Sequence, residues 1–139
     1  MSERSILVKV PLNRVGVLIG SGGHVKETVE KKLGVNVDVD SGTGDVTLTS
    51  STPDPSLLFR ARDIVLAIGR GFSPEKAFRL LNEDFNLYVI DLREFFRSPS
   101  DIQRVKSRVI GKSGKTRRTI EEETMVSLSV YGDTISLIG

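Results

Sequence analysis

The sequence has no cysteine and no tryptophan, and it has a single histidine, His24. The absence of cysteine excludes disulfides and cysteine-ligated metals, and it favours a cytoplasmic compartment. One histidine also argues against a histidine-built metal centre and against a Ser-His-Asp triad. We therefore expect neither a bound metal nor a cofactor.

Long apolar runs are missing too. No stretch approaches the roughly 18 residues that a membrane-spanning helix needs, so we expect no membrane partner. The first residues resemble no signal peptide, because no long uncharged apolar segment follows them. A chain of 139 residues with 38% hydrophobic and 27% charged residues is typical of a globular protein and has room for one ordinary domain or two small ones.

Glycine is concentrated where it interrupts helical patterns. In the segment 109–120, Gly111 and Gly114 separate two stretches of helical character, and the second stretch begins with basic residues. Positive charge at a helix N-terminus opposes the helix dipole, but an external anion at that end compensates it. The segment therefore predicts a phosphate contact, with a turn between two solvated helices as the plainer alternative.

Gly114-Lys115-Thr116 matches the end of a nucleotide-binding phosphate loop, G-x-x-x-x-G-K-[ST]. The first glycine of that pattern would fall at position 109, which is Val109. Only two residues separate Gly111 from Gly114, too few to wrap a β-phosphate. The spacing fits a short GXXG loop, which clamps the backbone of about four nucleotides.

A second copy of the loop lies 91 positions earlier, at 20–23. In this register Ile19 matches Ile110, and Glu30 matches Glu121. An alternating strand follows each copy, so the chain predicts two modules of repeated architecture.

The apolar periodicity predicts the order strand, helix, loop, helix, strand, strand, helix in the first module. Ser73-Pro74 then predicts a short connector helix packed on a module. We place the first module at 1–71, the connector at 72–84 and the second module at 85–139.

The second module is predicted to begin with a strand from Leu87 to Phe95, with Phe95 and Phe96 in the core. Ser100 and Gln103 have the spacing of a capping box at the start of its first helix. Nothing after Ile138 corresponds to the last helix of the first module. We therefore expect either that the chain is cut short here or that something else covers that sheet face, namely the connector helix or another chain.

Charge is distributed unevenly between the modules. The net charge is +2, yet the window 104–118 holds seven cations and no acid, whereas the matching window 13–27 has a net charge of +1. A basic cluster on one face is the electrostatic signature of nucleic-acid binding. A solvated helix face is the alternative, although such faces usually mix signs.

The element order, with GXXG between the first two helices, resembles the type I KH fold, an α+β fold with a three-stranded sheet packed on helices. Two such modules in one short chain resemble the archaeal tandem-KH proteins. These are related to the eukaryotic small-subunit pre-ribosomal RNA processing factor known as partner of Nob one, or Dim-two. Lys26 and Arg117 stand where ordinary KH modules have an apolar residue, which fits this family better.

The resemblance implies binding of single-stranded RNA, namely small-subunit pre-rRNA, and partnership with a PIN-domain endonuclease or other ribosome-assembly proteins. The main predicted RNA-binding residues are Arg104, Arg108, Ile110, Gly111, Lys112, Ser113, Gly114, Lys115, Arg117 and Arg118. Weaker contacts are predicted for the first module at Gly20, Ser21, Gly22, Gly23, His24 and Lys26. The first loop lacks a cation, so a protein-binding scaffold remains an alternative for that module.

No catalytic residues are expected. Glu121, Glu122 and Glu123 are consecutive, so they point to different helix faces and form no acid–base pair. A phosphate-loop nucleotide-binding enzyme is the less favoured alternative.

We expect the protein to hydrolyse neither ATP nor GTP, because Val109 replaces the first glycine of the nucleotide loop. Phosphate release measured with either nucleotide and Mg²⁺ checks this. Steady turnover that disappears in Lys115→Ala would contradict the prediction.

Overall fold

A computed structural model describes residues 4–139; the expectations for the first three residues, at the start of the first module, lie outside it. The first module contains three strands and three helices. Their bounds are β1 Arg4–Lys9, α1 Leu12–Ile19, α2 His24–Leu33, β2 Asn36–Val39, β3 Asp45–Ser50 and α3 Ser56–Gly69.

A short helix, α4 (Pro74–Ala77), and a 3-10 turn, Phe78–Leu81, connect the modules. Ser73 caps α4 as predicted, with its side chain accepting a hydrogen bond from the Lys76 amide at 3.3 Å. The second module consists of β4 Leu87–Asp91, α5 Pro99–Ile110, α6 Lys115–Thr124, β5 Ser127–Tyr131 and β6 Thr134–Ile138. Among the described residues, no helix is long and apolar enough to cross a membrane.

The two sheets have the same topology, which confirms the predicted α+β fold. Each is antiparallel, with strand order β1-β3-β2 in the first and β4-β6-β5 in the second. Strand alternation places Val37 and Leu48 on the face that packs against the helices of the first module. Leu128 and Ile135 occupy the corresponding face of the second module.

The two cores differ greatly in size. The first includes most of the buried side chains of the chain, and Phe72, Ala77 and Leu80 of the connector belong to it. The second is formed by four buried residues, Leu92, Ile102, Leu128 and Ile135, with partly buried neighbours. Ile138 of β6 is buried in the first core, so the second module depends on the first for part of its packing.

The back face of the second sheet, which faces away from α5 and α6, packs against the first module. Ser129 Oγ donates a hydrogen bond to the Arg70 carbonyl at 2.7 Å, and Arg79 donates to Ser127 Oγ at 2.9 Å. Gly71 has φ +99°, and a Cβ there would lie 2.6 Å from Ser129 Oγ. Glycine is therefore required at this position for the close approach of the two modules.

Arg14 and Tyr131 complete this joint between the modules. Arg14 donates hydrogen bonds to the carbonyls of Ile68, in the last turn of α3, and of Phe72, in the connector, both at 2.8 Å. Its guanidinium lies 5.9 Å from the centre of the Tyr131 ring. The Tyr131 hydroxyl in turn donates to Asn13 Oδ1 at 2.6 Å.

The connector does not cover the sheet face that lacks a third helix, contrary to one of the two alternatives above. It packs at the back face, whereas Tyr88 and Ile90 on the helix-bearing side remain 55% and 37% exposed. The back face is favoured because Ser127 accepts a hydrogen bond from Arg79 of the connector, and Ser129 donates one to the Arg70 carbonyl at the end of α3.

Three local predictions in the second module were wrong. β4 ends at Asp91, not at Phe95, because the Asp91 side chain accepts the Arg93 amide at 3.0 Å and turns the chain. Phe95 consequently lies 68% exposed, while Phe96 packs on the core. The helix α5 begins at Pro99 after Ser98, so Ser100 is inside the helix and is not its cap.

We expect Arg14→Ala to lower the free energy of unfolding by about 2–3 kcal/mol, because two partly buried carbonyls lose a charged donor. Arg62→Ala is the matched control, since within residues 4–139 the polar and cation–π partners of Arg62 are its neighbour Asp63 and the Phe59 ring. Urea unfolding followed by circular dichroism measures both. Equal stability of the two variants would contradict the assigned role of Arg14.

Candidate nucleic-acid interface

The two GXXG loops have nearly the same backbone. In the first, Gly20, Gly22 and Gly23 have φ of 78°, 62° and 80°; in the second, Gly111, Ser113 and Gly114 have 75°, 55° and 77°. Ser113 thus adopts a left-handed conformation that a non-glycine residue rarely takes. The repeat inferred from the sequence is therefore also a repeat of loop conformation.

The first glycine of each loop lets the chain pass close to the following helix. A Cβ at Gly111 would lie 2.7 Å from the Thr116 amide nitrogen, and one at Gly20 would lie 2.9 Å from the Val25 amide nitrogen. Both distances are shorter than real Cβ contacts. Glycine is required here to place the loop directly at the N-terminus of α2 or α6.

Two amides of the second loop are used within the protein. The Gly111 amide donates to the Ser107 carbonyl at 2.8 Å, and the Gly114 amide donates to the Gly111 carbonyl at 3.2 Å. Gly111, with φ 75° and ψ 175°, breaks the helical backbone just before the amides of Lys112 and Ser113, and no side chain of the described residues accepts a hydrogen bond from either amide. Backbone amides at such a break before a helix N-terminus form a concavity that suits an anion.

The seven cations of the basic window divide into two groups. Arg104 pairs with Asp101 at 2.7 Å, Arg117 lies near Glu121, and Arg118 donates to the Ser113 carbonyl at 2.9 Å. Through this hydrogen bond Arg118 stabilises the conformation of the loop. Within residues 4–139, the remaining cations of this window form no ion pair: Lys106, Arg108, Lys112 and Lys115.

A glutamate in each module joins the helix after the loop to the next strand. Glu30 Oε2 accepts the Val37 amide, and Glu121 Oε2 accepts the Leu128 amide, both at 3.0 Å. In each module this contact ties the helix after the loop to the edge strand of the sheet. Sequence reasoning matched the two glutamates in the repeat but did not predict their role.

Lys26 and Arg117 lie close to these glutamates. Lys26 Nζ lies 3.6 Å from Glu30 Oε1, and Arg117 Nε lies 3.8 Å from Glu121 Oε1. The spacing of four residues places each cation one turn before its carboxylate. Both were predicted as RNA contacts; the structure assigns each a contact within the protein, and the side chain of Arg117 remains 41% exposed.

The other predicted residues lie around the loops. Ile110 ends α5 beside the loop and is partly exposed, and Val109 packs on the second core. In the first module Ser21, Gly22 and His24 are exposed. Among the described residues, no group of three or more histidine, aspartate or glutamate side chains is placed to hold a metal.

The fold and the paired loops define a protein of two KH modules, and sequence comparison agrees. Residues 86–139 match the family described as eukaryotic type KH-domain (KH-domain type I), and residues 13–83 match the Krr1 KH1 domain. The KH domain-containing protein MJ0443 of Methanocaldococcus jannaschii is 48% identical over 99% of this chain. The chain spans 61% of the length of that relative.

Solved structures give the same assignment. Dim2p of Pyrococcus horikoshii is 48% identical with a TM-score of 0.88, over 98% of this chain and 81% of that one. Dim2p from the same organism in a complex with a/eIF2alpha and rRNA is 47% identical with a TM-score of 0.90, over 99% and 76%. The chain belongs to the archaeal tandem KH-domain family that includes Dim2p.

Proposed function

We propose that this protein binds single-stranded RNA through its second module, and that the RNA is the small-subunit pre-rRNA. The RNA strand lies in the groove between the second GXXG loop, α6 and the edge β-strand β5. The observation that carries the proposal is the left-handed backbone of the second loop at the N-terminus of α6, together with Lys112 and Lys115, which form no ion pair among the described residues. The rRNA complex of the related Dim2p supports it.

Each part of the groove has a distinct role. Amides of the second loop and the N-terminus of α6 receive phosphate oxygens, while Lys112, Lys115 and Arg108 neutralise the backbone. Ile110 offers an apolar surface for a base. β5 is an outer strand of its sheet, and the alternation along an antiparallel strand points the Val130 amide away from β6, in the same direction as the Leu128 amide. There the Val130 backbone can form hydrogen bonds with an RNA base.

The first module serves mainly as structure and as a surface for proteins. Its loop has the same conformation but no cation, and Lys26 is paired with Glu30. A PIN-domain endonuclease or another ribosome-assembly protein is the proposed partner there. No chemistry is assigned to the protein, since KH modules act by binding. A cytoplasmic location remains part of the proposal.

The two loops can be tested with matched variants. We expect Lys112→Asp with Ser113→Asp to weaken RNA binding by about 2–3 kcal/mol, roughly thirty- to two-hundredfold, because two carboxylates would repel the phosphates. Ser21→Asp with Gly22→Asp should cost less than about 1 kcal/mol. Aspartate tolerates the left-handed conformation of Ser113 and Gly22 and suits a helix N-terminus.

Circular dichroism establishes that both variants are folded, and fluorescence anisotropy with labelled RNA gives their affinities. An equal loss of affinity in the two folded variants would show that the modules share RNA binding and would reject the assignment to the second.

The affinity should depend strongly on salt. If roughly four phosphates are neutralised, log K should fall against log salt concentration with a slope of about −3 for a single strand. Anisotropy titrations at several KCl concentrations measure the slope. A slope near zero would remove the electrostatic basis of the proposed interface.

A further inference from the structure

The two modules differ by an insertion between their first strand and first helix. Val10 and Leu92 occupy equivalent places, because each donates its amide to a carbonyl of the adjacent hairpin, at Gly44 and Asp133, both at 2.8 Å. In the first module α1 begins two residues after Val10, at Leu12. In the second, α5 begins seven residues after Leu92 and has 12 residues against 8 in α1.

The inserted segment and the first turns of α5 line a cavity of about 580 Å³ that is open to solvent. Phe96 and Ile102 supply its apolar part, and both also pack on the second core, which holds them in place. The rim is polar and carries donors and acceptors: Arg93, Arg97, Gln103 and Asp133. The volume lies within the range of small-molecule sites, which are largely apolar with a few oriented polar groups.

Arg93 is held in a fixed orientation at this rim. Its Nε and Nη2 donate to the two oxygens of Asp91 at 3.0 and 2.8 Å, and the Arg93 amide also donates to Asp91 Oδ1. These hydrogen bonds from Arg93 lower the pKa of Asp91 to about 2. Within the described residues Arg97 forms no ion pair, so its guanidinium is free to stack on or bond to a ligand.

The cavity is connected to the second loop by α5. The helix starts at the cavity with Pro99 and ends at Ile110, and its 12 residues span about 17 Å. Between these ends it carries Arg104, Lys106 and Arg108, with Asp101 as its one carboxylate. An RNA strand leaving the loop along this helix would remain beside positive charge.

We propose that the cavity formed by the insertion binds one nucleobase of an RNA strand that extends beyond the four-nucleotide clamp of the second loop. Phe96 and Arg97 provide planar groups on which a base stacks, as aromatic and guanidinium planes do for unpaired RNA bases. Gln103 and Asp133 accept from exocyclic amino groups, and Gln103 also donates.

A nucleobase fits these features better than a protein segment. The rim offers both donors and acceptors, whereas a segment that filled the cavity with an aliphatic side chain would leave those groups without partners. This inference rests on RNA binding by the second loop, so its test must separate the two sites.

The experiment compares RNA of two lengths, oligouridylate and oligoadenylate of four and of ten nucleotides, by fluorescence anisotropy. The variant is Arg97→Ala with Gln103→Ala, both exposed positions, which leaves Phe96 and the core intact. We expect it to bind the better ten-nucleotide RNA about tenfold more weakly than the wild type. Binding of the four-nucleotide RNA should be unchanged.

The control Arg62→Ala removes a cation from α3 of the first module, and it should leave both affinities unchanged. The longer RNA can bind in more registers, which raises its apparent affinity. This increase is the same for the wild type and for every variant, so it cancels when their affinities for the same RNA are compared. If the variant Arg97→Ala with Gln103→Ala loses affinity by the same factor for both RNA lengths, or loses affinity for neither, the cavity assignment is overturned.

Photocrosslinking supplies a second readout that needs no substitution. Ten-nucleotide RNA carrying 4-thiouridine, crosslinked to the wild type and mapped by mass spectrometry, should label the peptide that contains Phe96 and Arg97. Labels confined to the second loop would reject the cavity as an RNA site while supporting the loop. Wild-type protein that binds neither RNA length would instead reject the proposed function itself.

Discussion

The packing of the second sheet's back face on the end of α3 and the connector is the contact on which the rest of the structure depends. The second module has four buried core residues of its own, and Ile138 completes its packing in the core of the first. Gly71 permits the close approach of the two modules, and Arg14 donates to the carbonyls of Ile68 in α3 and Phe72 in the connector while its guanidinium lies 5.9 Å from the centre of the Tyr131 ring. The two modules therefore stabilise each other, and the second loop is presented from a fixed position.

The helix after each loop is joined to the next strand by a contact that both modules repeat. A glutamate on the second helix of each module accepts the amide of the following strand, and a cation one turn earlier lies close to it. Because the contact recurs in a module whose loop lacks a cation, it belongs to the architecture of the fold. What distinguishes the second module is charge at Lys112 and Lys115, added to the same backbone.

The insertion between β4 and α5 is the other difference between the repeats. It extends the first helix, turns the chain at Asp91 and places arginines beside Phe96 in a region that the first module lacks. Duplicated modules that share a core and differ in charge and in one inserted segment can divide their tasks. In the proposed function, the first module supplies packing and a protein-facing surface, and the second contacts the nucleic acid.

The sequence by itself determined the repeat, the element order and the loops, because glycine spacing and apolar periodicity are local properties of the chain. The end of β4 and the cap of α5 depended on side-chain hydrogen bonds at Asp91 and on the choice between Ser98 and Ser100. Which cations are free was decided only by the tertiary structure, because the partners of Arg117 and Arg118 are set by how α6 meets the strand and the loop. The same holds for the joint between the modules, whose contacts join residues up to 118 positions apart and leave no periodic signal in the sequence.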